Sequence, residues 1–112
     1  MDMREEFMTI RIIETRDAAN NALPGAAAAT PTPLVNTTDV RVLLLNLAAG
    51  QSVAPCEMPT TVLYYVIEGQ GRLRTGDEQA ELKTGSLTVV PAGAVRAISA
   101  VEDMRVLAVQ VL

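Results

Sequence analysis

The stretch Thr84-Gly85-Ser86-Leu87-Thr88-Val89-Val90-Pro91-Ala92-Gly93 sets the architecture of this chain. Its centre, Ser86 to Val90, is too brief and too β-branched to prefer a helix, so it reads as a strand. Glycine and proline bound it on both sides, where the backbone must turn sharply. The same grammar extends outward in both directions. Runs at Val40 to Leu47, Val62 to Glu68, Arg72 to Thr75, Gln79 to Lys83, Val95 to Ser99 and Met104 to Val111 alternate with turns at Ala49-Gly50, Gly69 to Gly71, Gly76-Asp77 and Glu102-Asp103. No proline falls inside a run, where it would remove a ladder donor. Glycines at 50, 69, 76, 85 and 93 recur at the spacing of a sandwich or barrel. The predicted fold is therefore all-β, a jelly roll over residues 38–112.

Residues 1–37 differ in character. Met8 to Ile13 has the composition of an edge strand, Arg16 to Asn20 that of one helical turn, and Asp17 to Pro33 is a long connection rich in Ala, Asn and Pro. Connections of this length act as partner-wrapping arms, lids or mobile segments. Two barrel runs are apolar on both faces: Val42 to Leu45, and Val106 to Val109 followed by Val111 and Leu112. An apolar outer face needs cover, which predicts a homodimer.

At 112 residues the chain has room for one core and hence one domain. Aromatic residues make up only 3% of it, so the core must be built from aliphatic side chains. A net charge of -4 argues against nucleic acid, whose affinity depends on clustered Lys and Arg displacing counterions. The lone Cys56 can form no internal disulfide, the acidic N-terminus does not read as a signal peptide, and no apolar stretch nears the roughly 20 residues that span a bilayer. A cytoplasmic protein with no membrane partner is expected.

Gly50, Cys56, Met58, Val62 and Gly69 stand at the spacing of the first cupin motif, Gly, five residues, His-x-His, three or four residues, Glu, six residues, Gly. Gly85, Pro91, Gly93 and Arg96 follow the second: Gly, five residues, Pro-x-Gly, two residues, His, three residues, Asn. From Val40 to Leu112 the chain resembles the small single-domain cupins of the RmlC-like type, which implies a double-stranded β-helix barrel. In that family the His, His, Glu and His positions hold a metal. Here they are Cys56, Met58, Val62 and Arg96, and the chain has no histidine. Divalent ions need imidazole or carboxylate donors at about 2.0 to 2.3 Å, so no metal and no cofactor is expected. The histidine base of the family's metal-free epimerases is missing as well.

Alternation along strands extends these positions to a pocket. If position 62 faces inward, so do Tyr64 and Val66; Cys56 goes with Met58, and Arg96 with Ile98. The expected lining is therefore Cys56, Met58, Val62, Tyr64, Val66, Arg96 and Ile98, with Tyr65 outside and Glu57, Arg72 and Arg74 on solvated faces. Arg96 singles itself out, because an inward guanidinium needs an acceptor. Either a carboxylate or phosphate ligand supplies it, or an Asp, Glu or backbone carbonyl at the barrel rim does, or the side chain swings into water. Cys56 reads as a small buried hydrophobe, with a nucleophilic or redox thiolate and a soft Cu(I) site shared with Met58 as the sharper readings. The leading function is a metal-free barrel that binds a small anionic or carboxylate-bearing molecule. The alternatives are a dimeric interaction module with a vestigial pocket, and a metal-independent enzyme using Cys56 or Tyr64.

Overall fold

Two sheets, whose central strands alternate side chains between a buried and a more exposed face, build a two-layered barrel. The computed structural model describes residues 10–17 and 31–112. Its strands are β1 (Thr32–Asn36), β2 (Val40–Leu47), β3 (Ser52–Glu57), β4 (Val62–Glu68), β5 (Gln70–Thr75), β6 (Glu78–Lys83), β7 (Leu87–Val90), β8 (Val95–Ala100) and β9 (Met104–Val111). They form a five-stranded sheet in the order β1-β2-β9-β4-β7 and a four-stranded sheet in the order β3-β8-β5-β6. All ladders are antiparallel.

The inner faces of both sheets meet in one aliphatic core. Leu45 and Leu47 from β2, Val62, Tyr64 and Val66 from β4, Leu73 from β5, Leu82 from β6, Val90 from β7, Ile98 and Ala100 from β8, and Met104, Val106 and Ala108 from β9 are all buried in a single cluster. At roughly 1.5–3 kcal/mol for each large aliphatic side chain, their burial is the main force holding the two sheets together.

The outer face of the five-stranded sheet is apolar too. Register aligns Leu44, Leu107, Tyr65 and Leu87 in one row across β2, β9, β4 and β7, and Val42, Val109, Leu63 and Val89 in the next. Cross-strand partners share a face, so these eight side chains form one continuous patch. The β7 end lies open, with Leu87 63% and Val89 59% exposed. Near the β2 end, Arg105 donates from Nε to Asn46 Oδ1 (2.9 Å) and from Nη2 to the carbonyl of Thr15, which ties the N-terminal segment to this sheet.

Two features of the N-terminal third depart from expectation. Ile10 to Ile13 is not a strand, and Ile10 and Ile12 are 88% and 80% exposed; Met8 and Thr9 lie outside the described residues. The edge position beside β2 is taken instead by β1, which begins at the end of the Asp17 to Pro33 connection; residues 18–30 of that connection lie outside the described residues. A short 3-10 turn, Thr15–Asp17, replaces the helical turn expected from Arg16 onward, whose last residues, 18–20, also lie outside the described residues.

Candidate functional site

Tyr64 and Arg96 meet where β4 of one sheet faces β8 of the other. Val62, Tyr64 and Val66 point inward because β4 alternates strictly, with Tyr65 exposed between them. Arg96 and Ile98 point inward from β8 for the same reason. Arg96 is only 2% exposed and is the largest fully buried side chain among the described residues. Its Nε donates to the Ala94 carbonyl (3.0 Å), its Nη1 to the Tyr64 hydroxyl (3.4 Å) and its Nη2 to the Pro91 carbonyl (3.4 Å).

All three acceptors are neutral, and among the described residues Arg96 forms no ion pair. A buried cation without a counter-charge is costly, and two of its three bonds are at the long end of hydrogen-bonding range. Burial pushes the Tyr64 phenol above its ordinary value of 10.0, against the lowering by the Arg96 hydrogen bond and charge; the neighbouring Cys56 adds to the rise. At neutral pH Tyr64 is therefore a protonated phenol, able to accept from Arg96 and donate onward. It is not a base.

The expected pocket residues do not all converge. Val62, Tyr64, Val66, Arg96 and Ile98 lie together in the interior, and Met58, just past β3, is half-buried against them. Cys56 stands opposite Arg96 across the β3–β8 ladder, yet it is exposed. The buried-hydrophobe reading of Cys56 thus gives way to a thiol on the rim. The physical reason is its place on β3, an edge strand whose ladder is interrupted between Val53 and Cys56, so the chain swings outward there. The backbone carbonyl expected as one alternative partner of Arg96 is supplied by Pro91 and Ala94, residues that the sequence reading did not name. The sharp Pro91-Ala92-Gly93 turn was the available signal, since a turn aims carbonyls inward that a strand would have spent on its ladder.

Residues 43–110 match the family model of the cupin domain. The chain belongs to the cupin family. Among solved structures, this cupin is similar to a conserved protein of unknown function from Streptococcus pyogenes, at 26% identity over 73% of this chain and 72% of that one, with a TM-score of 0.68. It also superposes on a protein of Thermus thermophilus (TM-score 0.80, 23% identity, 91% of this chain and 97% of that one). An RmlC-like cupin from Desulfovibrio desulfuricans superposes equally well (TM-score 0.80, 18% identity, 92% and 97%). No curated protein matches the chain.

Cupins commonly seat a metal where this chain carries Cys56, Met58, Val62 and Arg96, and these residues do not fit one. Val62 has no donor atom, and Arg96 places a cation at the seat. Cys56 and Met58 offer at most two sulfurs, short of the three protein ligands even an open catalytic site requires. Among the described residues no three His, Cys, Asp or Glu side chains gather to hold an ion. No helix among them is long and apolar enough to cross a membrane.

Proposed function

We propose that this cupin is a metal-free binding barrel whose ligand is a small carboxylate-bearing or otherwise anionic molecule held by Arg96 and Tyr64. The observation that carries the reading is the charge state of the interior: a guanidinium sealed from water and matched only by neutral oxygens. A carboxylate would replace the two 3.4 Å bonds with charge-assisted ones of about 2.7–2.9 Å. It would reach Arg96 past Pro91 to Gly93, which are exposed, and would displace the Pro91 carbonyl. Tyr64, protonated, would donate a second bond. Cytoplasmic location, with neither nucleic acid nor membrane as partner, accords with the net charge and the single cysteine.

A thermal-shift panel of carboxylates and phosphate esters against wild type and Arg96→Met tests this. A panel member at 100 times its dissociation constant should stabilise the wild type by about 2.7 kcal/mol and leave the variant unmoved. The free variant should stay within about 1 kcal/mol of wild type, because an apolar replacement relieves the cost of a buried charge. Silence of the wild type across the panel, or an equal shift in Arg96→Met, rejects the reading.

A second reading concerns assembly, and the two apolar rows on the outer face of the five-stranded sheet favour it. The occupant of that face is a second copy of the chain, packed sheet against sheet about a two-fold axis.

A further inference from the structure

The outer face of the four-stranded sheet carries a groove that the barrel-interior reading does not use. Register sets Ser52, Ser99, Arg72 and Glu81 in one row across β3, β8, β5 and β6, and Ala97, Arg74 and Gln79 in the next. Cross-strand partners share a face, so Arg72 and Arg74 project side by side from β5 over the small side chains of β8. With Ala97 and Ser99 as floor and Ser52 and Pro55 as the far wall, the result is a cavity of ≈370 Å³. A second cavity of ≈330 Å³ continues it past Pro55, Arg74 and Ala97 to Val95 and Gly76.

Neither arginine side chain has a hydrogen-bonding or ionic partner among the described residues. Glu81 is the cross-strand partner of Arg72, yet it forms no ion pair with it and does not line the larger cavity. Two guanidiniums separated by one strand residue repel each other, and a single dianion between them removes that repulsion. Ser52, Ser99 and Gln79 add neutral donors around the same space. The extension is lined by Pro55, Gly76, Val95 and Ala97 together with Arg74 and Arg96, a mostly apolar wall that suits an organic group better than a bare ion. The chain's net charge of -4 opposes long polyanions while leaving this local positive spot for a compact one.

From these observations we infer that the groove over β8 is a binding site for a small phosphate monoester, with the phosphoryl group between Arg72 and Arg74 and its organic part along Pro55 and Val95. The phosphoryl position lies away from the Arg96 guanidinium: Arg96 lines the extension, but its side chain is buried on the opposite face of β8.

Amide-resolved NMR titration of the full chain with phenyl phosphate and with inorganic phosphate, at matched ionic strength, tests it. Saturable shifts are expected at Ser52, Arg72, Arg74, Gln79, Ala97 and Ser99, with phenyl phosphate binding more tightly than inorganic phosphate. Arg72→Gln with Arg74→Gln should weaken phenyl phosphate at least tenfold; both positions are exposed, so an unchanged dispersion of the free spectrum verifies the fold. Arg96→Met should leave the titration intact, which separates this site from the barrel interior. The inference falls if these amides do not saturate, if inorganic phosphate binds as tightly as the ester, if the double variant titrates like wild type, or if Arg96→Met abolishes the shifts.

Discussion

Arg96 and Tyr64 form a pair in which each partner's chemistry depends on the other's burial. The guanidinium donates into the phenol oxygen, while desolvation holds the phenol's proton on. Because the folded chain resists losing that proton more than the unfolded chain does, the unfolded state ionises first as pH rises. The stability Tyr64 contributes is therefore complete below about pH 10 and drains away as pH climbs through its raised folded value. Urea unfolding across this range should show a steeper alkaline loss for wild type than for Tyr64→Phe. At neutral pH the variant should be less stable by about 1 kcal/mol, for the lost hydrogen bond. In a Tyr65→Phe background Tyr64 is the sole tyrosine, and its tyrosinate absorbance should emerge above the range of free tyrosine; emergence at the free value would show the phenol to be solvated.

Gly69 joins β4 to β5 with φ at +95°, and a Cβ there would collide with the Asp103 carbonyl and with Met104 at the start of β9. Gly76, in the β5–β6 turn, also has positive φ (+54°) but faces open space. Gly69→Ala should therefore cost about 2–4 kcal/mol in urea unfolding, from combined backbone strain and overpacking, against about 1 kcal/mol for Gly76→Ala. Comparable losses would mean that the contact with β9 carries no weight.

Central strands are legible from their apolar runs: β2, β4 and β9 span the residues that the pattern alone delimits. The two strands that escape the pattern, β1 and β3, contain Pro33 and Pro55 and sit at sheet edges, where a missing ladder donor costs little. Treating proline as a strand boundary is sound for the middle of a sheet and fails at its margin. The same margin explains Cys56: alternation gives the side of the ladder it shares with Arg96, but not that an edge strand with an interrupted ladder leaves that side open to water.

The two outer faces of the barrel have opposite characters, and this asymmetry bears on the proposed dimer. The four-stranded sheet shows arginine, serine, glutamate and glutamine to solvent, whereas the five-stranded sheet shows leucine, valine and tyrosine. A flat apolar sheet face is complementary to another of its kind, and a two-fold axis brings each row against its own copy. Leu87 and Val89, the most exposed members of the rows, make little contact with their own core, so charged replacements there should leave the barrel folded. Sedimentation of the wild type should give twice the chain mass, and Leu87→Lys with Val89→Lys should give the chain mass with an unchanged far-UV spectrum. Because a dimer gains stability by mass action, the wild-type melting temperature should rise with protein concentration and that of the variant should not. A wild type that sediments as a monomer at every concentration, or a double variant that stays dimeric, would leave these apolar rows without the second copy as their cover.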